Sequence, residues 1–165
     1  MTYKIECVLF DLDGTLANVR HRLHFVETPG QKKDWPAFFG AMIHDTVIES
    51  SSRLYWALYK ARYRMFILTG RPEEYRSQTE NWLRGAVGHK YHELIMRKTG
   101  DYRQDFIVKK EMLDALRARD FAPVLSIDDR PSVVRMWREN GVPCFQADDS
   151  TWNEGNDGIE ETTRD

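Results

Sequence analysis

Short apolar runs, each ending in a polar cluster, recur along this chain and set its architecture. Val8-Leu9-Phe10, Met65 to Leu68 and Val124 to Ile127 are uninterrupted rather than alternating. A strand with one wet face alternates polar and apolar residues, so continuous runs belong to strands buried on both faces, as in a parallel sheet. Strands are predicted over 3–10, 65–68, 93–96, 124–127 and 142–146. Between them the spacing turns helical. Tyr75, Thr79, Trp82, Leu83 and Ala86 mark a helix over 73–87, and Val108, Met112, Ala115 and Leu116 mark another over 105–119. Residues 54–62 and 131–140 read as helices too, the latter stopped by Gly141. Alternating strands and helices imply right-handed βαβ units and a mainly parallel α/β sheet covered on both faces. In such sheets ligands bind beyond the carboxyl ends of the strands, which makes the residues after each strand the ones to read for chemistry.

Composition narrows the setting. A chain of 165 residues suits one domain, here placed over 1–146. No apolar run approaches the ~20 residues of a membrane span, and the N-terminus MTYKIE has no signal-peptide core. The two cysteines, Cys7 and Cys144, lie far apart in apolar runs, so a reducing, cytoplasmic protein is expected. The net charge of −2 hides a division. Seven acids against Arg164 leave residues 147–165 at −6, and the preceding body stands at +4. That acidic tail reads as a solvated end, and the mildly basic body suits a phosphate-bearing partner.

Three strand ends stand out. After the first come Asp11-Leu12-Asp13-Gly14-Thr15. Side chains two apart on an extended chain face the same way, so Asp11 and Asp13 reach into one cavity while Gly14 lets the chain turn. The plainer alternative is an Asp-Gly turn. After the second come Thr69-Gly70-Arg71-Pro72, either an anion cradle or an ordinary loop with Pro72 opening a helix. After Val124 to Ile127 come Asp128 and Asp129, for which capping of the next helix is the simpler role. Lys109 follows Asp105 by one helical turn, as a surface pair or as a lysine turned by Asp105 toward the cavity. Taken together, these segments bring up to four carboxylates to one rim. At ~4 Å and an effective dielectric of about 20, each like-charged pair costs about 4 kcal/mol, which calls for a cation. No His or Cys lies in these motifs, so Mg²⁺ fits better than zinc. The set reads as a phosphoryl-transfer site with a carboxylate nucleophile.

In this order, Asp11-Leu12-Asp13-Gly14-Thr15, Thr69, Lys109 and Asp128-Asp129 resemble the four motifs of the haloacid dehalogenase (HAD) superfamily of phosphatases. Gly100-Asp101-Tyr102-Arg103, Asp105, Val108-Lys109, Ile127-Asp128-Asp129-Arg130 and Arg22 narrow the resemblance to the 3′-phosphatase domain of phage-type polynucleotide kinase/phosphatases. No GxxxxGK[ST] loop occurs, so the kinase half is expected to be missing. The resemblance implies a Rossmann-like HAD fold with a small helical cap inserted over about 18–52. It implies that Asp11 attacks phosphorus, while Asp13 serves as acid and then base, with a raised pKa favoured by neighbouring acids. Mg²⁺ would be held by Asp11, the main-chain carbonyl of Asp13 and Asp129, with Asp128 adjacent. Thr69 and Lys109 would bind the transferring oxygens and Asp105 would position Lys109. Arg22, Gly70 and Arg71 would bind phosphate or organise the site.

The insertion holds Arg20, His21, Arg22, His24, Lys32 and Lys33 with Trp35, Phe38 and Phe39. Charge and stacking there would grip a nucleic-acid end, unless the aromatics are the insertion's own core. The expected partners are phosphorylated nucleic-acid ends or free nucleotides, and no membrane. A phospho-accepting receiver module uses similar residues but places its acidic pair before the phosphorylated Asp, the reverse of the order here.

Overall fold

The computed structural model describes residues 4–147, and the continuous apolar runs all lie in one parallel sheet. The chain runs β1 (Ile5–Phe10), β2 (Ala17–Asn18), α1 (His24–Glu27), α2 (Trp35–Gly40), β3 (Thr46–Val47), α3 (Glu49–Lys60), β4 (Arg64–Pro72), α4 (Arg76–Val87), β5 (Glu93–Arg97), α5 (Asp105–Ala118), β6 (Phe121–Asp128), α6 (Pro131–Glu139) and β7 (Cys144–Gln146). The five-stranded sheet has the order β5-β4-β1-β6-β7, with β1 at its centre. Its neighbours β4 and β6 both run parallel to it, pairing Phe10 with Ile67 and with Ile127. The strand ends carrying Asp11, Thr69 and Asp128 therefore lie side by side.

Burial on both faces explains the unbroken apolar runs. Cys7 and Leu9 pack with Val108, Met112, Leu113 and Leu116 of α5 and with Val133, Val134, Met136 and Trp137 of α6. Val8 and Phe10 point the other way, toward Tyr55 of α3 and Leu83 and Val87 of α4. The result is a Rossmann-like α/β layering. Both cysteines are free and buried.

Several boundaries differ from the sequence reading, and β4 runs on through Thr69, Gly70, Arg71 and Pro72, which the sequence reading placed after its strand. Helix α3 starts at Glu49, because Ser51 is buried and Glu49 favours the positive end of the helix despite three poor helix formers. Strand β6 runs from Phe121 to Asp128 through Pro123, with a bulge that pairs Cys7 with Pro123 but Val8 with Leu125. The expected helix over 73–87 opens with a 3₁₀ turn, Glu73–Tyr75, before α4.

The segment between β1 and α3 is closed at its base by β2 and β3, which pair antiparallel. It has its own small core of Val26, Trp35, Phe38, Phe39 and Met42. Trp35, Phe38 and Phe39 are buried in mutual contact, so they are this segment's core and offer no face to a ligand. Tyr75 packs in a tilted contact against Phe39, with ring centroids 5.0 Å apart, and ties the segment to the carboxyl edge of the sheet. Among the described residues no helix is long and apolar enough to cross a membrane. The acidic segment from Asp148 onward lies outside the described residues.

Candidate active site

Two clusters of buried charge meet at the carboxyl ends of β1, β4 and β6. The first gathers Asp11, Asp128 and Asp129, each buried, with one oxygen apiece within 4.8 Å of the others. Lys109 reaches into it from α5. Its Nζ donates to Asp11 Oδ1 at 2.6 Å and to Asp128 Oδ2 at 2.8 Å, and lies 3.4 Å from Asp105 Oδ2. Asp128 Oδ2 also accepts from Trp137 Nε1 at 3.2 Å. Thr15 Oγ1 donates to Asp129 Oδ1 at 3.3 Å. Lys109 is therefore a buried lysine of the site and not a surface partner of Asp105.

Negative charge exceeds positive charge here, and the acid–base balance shows it. Burial pushes the Asp11 carboxyl well up; Lys109 opposes that, and Asp128 and Asp129 reinforce it. Burial and then Asp128 raise Asp129 to about 7. Burial alone would lower Lys109, yet Asp105, Asp11 and Asp128 hold it well above its ordinary value. Three converging hard oxygen donors that repel one another fit a divalent cation.

Glycines let the backbone close around this cluster. Gly14 has φ +83°, and a Cβ there would fall 2.0 Å from Asp129 Oδ2. A Cβ on Gly70 would fall 2.7 Å from Asp105 Oδ1. Only glycine allows both approaches. Next to Gly70, the buried Thr69 hydroxyl accepts from the Arg71 N–H at 3.2 Å.

The second cluster surrounds Asp13. The side chain of Asp13 makes its contacts with arginines. Its Oδ1 accepts from Arg22 Nη2 at 2.7 Å and Arg71 Nη2 at 2.5 Å. Both guanidiniums are fully buried, and both are also held by Asp45. Asp45 Oδ2 accepts from Arg22 Nη2 at 2.7 Å and Arg71 Nη2 at 2.8 Å, and its Oδ1 from Arg22 Nε at 2.8 Å. The His21 ring nitrogen Nε2 lies 2.8 Å from Asp45 Oδ1. Two carboxylates and two guanidiniums thus alternate around a closed ring. The sequence reading expected acids to crowd Asp13 and raise its pKa. Instead, although burial pushes upward, Arg71 and Arg22 hold it below the usual carboxylate range. Buried in this way, Arg22 and Arg71 hold the carboxylates of Asp13 and Asp45 in place.

Sequence reasoning missed two residues. Asp45, in the irregular Ile43-His44-Asp45-Thr46 stretch, carried no local signal. Arg97 did carry one, since it ends β5 just as the other site residues end their strands. Its Nε donates to Gly70 O at 3.0 Å and its Nη2 to Asp105 Oδ1 at 2.9 Å. Burial opposes the effect, but Lys109, Arg130 and Arg97 hold Asp105 ionised, near 2.

Known proteins resemble this chain in sequence and fold. The family model described as the polynucleotide kinase PNKP phosphatase domain matches residues 5–152. A protein of Autographa californica nuclear polyhedrosis virus, described as a candidate bifunctional polynucleotide kinase/RNA ligase, is 29% identical over 145 residues, covering 84% of this chain and 18% of the viral protein. A chain of the Pnkp1/Rnl/Hen1 RNA repair complex superposes with a TM-score of 0.73 at 30% identity, over 90% of this chain and 44% of that one. The chain thus spans less than half the length of these relatives. The class C acid phosphatase of Bacillus anthracis, with tungstate bound, shares the fold at a TM-score of 0.66 and 14% identity, over 92% of this chain and 69% of that one. With the family match running from β1 past β7 and so taking in both charge clusters, this chain belongs to the PNKP phosphatase-domain family of HAD phosphatases.

Proposed function

We propose that this phosphatase is a Mg²⁺-dependent phosphomonoesterase that removes 3′-phosphates from nucleic-acid ends through an aspartyl-phosphate on Asp11. The observation that carries the chemistry is the Lys109 ammonium bridging Asp11 and Asp128 beside Asp129, a buried oxygen-donor cluster short of positive charge. The family match and the likeness to a chain of an RNA repair complex support the choice of nucleic-acid ends.

In this reading Asp11 and Asp129, with the main-chain carbonyl of Asp13, hold the cation. Asp128 stands beside them, since its Oδ2 already accepts from Lys109 and Trp137. When bound, Mg²⁺ supplies charge that neutralises the carboxylates and the phosphoryl oxygens. An Asp11 oxygen bonds to phosphorus as the bond from phosphorus to the sugar oxygen breaks, and the leaving alkoxide takes a proton from Asp13, which takes that proton up as the substrate enters because Arg22 and Arg71 keep it a carboxylate before then. Water then bonds to phosphorus, the Asp11–phosphorus bond breaks, and the proton released by water returns to Asp13. Thr69 and Lys109 hold the transferring oxygens. Asp105, itself fixed by Arg97, positions Lys109. Arg22, Arg71 and Asp45 fix the place from which Asp13 exchanges its proton. By favouring the carboxylate they prepare Asp13 for the hydrolytic half.

Relative rates test the substrate. A 3′-phosphorylated oligonucleotide should exceed a 5′-phosphorylated one, a 3′-mononucleotide and a generic aryl phosphate in kcat/KM. An oligonucleotide 3′-end no better than the small esters overturns the reading in favour of a phosphatase of free nucleotides or small phosphomonoesters.

A further inference from the structure

Trp35, Phe38 and Phe39 of the insertion are buried, so they leave a base stacked beside the reacting phosphate to find another face. One lies on the loop between β5 and α5. Tyr102 is 44% exposed, although the backbone on either side of it is tightly held. The buried Arg97 donates through Nη1 to Asp101 O at 3.0 Å and to Arg103 O at 2.6 Å. The same guanidinium bonds Gly70 O and Asp105, both in the site. The Asp101 carboxylate accepts from Arg103 Nε at 2.9 Å and Nη2 at 2.7 Å, and Arg103 also pairs with Glu111. Thr99 Oγ1 accepts from Glu74 N at 3.1 Å, joining the loop to the turn after β4. A surface tyrosine on a floppy loop would lose most of its stacking energy to ordering. This one is held out by a buried arginine that also touches the site. Tyr102 and the exposed Lys98 both line an open hollow formed by residues 98–103.

We propose that Tyr102 is a stacking platform for the nucleobase at the phosphorylated end, with Lys98 beside it for the strand's backbone phosphate. A ring and a cation side by side suit single-stranded nucleic acid of any sequence, because every base has a face to stack. The inference rests on the proposed 3′-end substrate and specifies what distinguishes a polynucleotide end from a small ester. Arg103 is paired with Asp101 and Glu111.

The test compares a 3′-phosphorylated oligonucleotide with the same strand abasic at its last nucleotide, using the wild type, Tyr102→Ala and Tyr102→Phe. Glycerol phosphate reports whether the site is intact. The wild type and Tyr102→Phe should show a KM about tenfold lower for the strand that keeps its base. Tyr102→Ala should lose that difference, with kcat and the glycerol phosphate rate unchanged. A base-against-abasic ratio that survives in Tyr102→Ala, or is absent from the wild type, overturns the proposal. If the wild type prefers glycerol phosphate to oligonucleotides, the substrate reading falls, while the base-against-abasic ratio still decides the role of Tyr102.

Discussion

The two charge clusters at the sheet edge are built from the same residue types and solve opposite problems. Around Asp13 the signs balance: Arg22 and Arg71 alternate with Asp13 and Asp45, and each guanidinium spans both carboxylates. Around Asp11 they do not: Asp11, Asp128 and Asp129 converge with Lys109 among them. A balanced buried ring is self-sufficient and holds geometry. An unbalanced one favours a cation, which is what marks it as the candidate site.

Activity separates the clusters most sharply. Asp11→Asn should retain the fold and lose turnover by several orders of magnitude, measured as single-turnover release of phosphate. Substantial residual turnover would move the nucleophile elsewhere.

Stability separates them next. Asp45→Asn leaves two buried guanidiniums sharing one carboxylate, and breaking a buried ion pair costs about 3–5 kcal/mol. Asp129→Asn removes one of several repelling carboxylates and should stabilise the metal-free protein. Urea unfolding of both variants reads the two signs. The same sign in both would erase the distinction between the clusters.

The smallest effect is in pH. The Asp129 carboxyl is raised in the folded protein from an ordinary 3.8 to about 7. The folded state therefore binds this proton more tightly than the unfolded chain. Its stabilising share is fully present below about pH 4 and is lost as pH rises through 7. Asp13 is lowered, so its share is present above the ordinary carboxylate range and is lost as pH falls below it. Metal-free protein should thus lose stability from pH 4 to pH 7, in a phase that Mg²⁺ or Asp129→Asn suppresses. Thermal unfolding across that range checks it, and a phase insensitive to both would contradict it.

Much of the fold and half of the site were legible in the sequence because they are local. An unbroken apolar run means a strand buried on both faces, and the residues just past such a run land at the carboxyl edge. Asp11, Thr69 and Asp128 were found that way, and Arg97 obeys the same rule after Leu94 to Met96. Asp45 obeys no local rule. It returns to the site through an irregular segment, and its importance lies in two arginines, 23 and 26 residues away in sequence. The state of Asp13 was misread for the same reason. Its neighbours along the chain include an acid, whereas its neighbours in space are guanidiniums. The sequence also left open whether Trp35, Phe38 and Phe39 face a ligand, because a three-residue aromatic set at helical spacing fits a core and a binding surface equally well.

Trapping Asp11 tests the phosphoryl-transfer reading most directly. Wild-type protein quenched during turnover of a 3′-phosphorylated oligonucleotide with Mg²⁺, reduced with borohydride and mapped by peptide mass spectrometry should show the Asp11 carboxyl reduced, and Asp11→Asn should show nothing. Reduction at another carboxylate, or none at any while phosphate is still released, would contradict it.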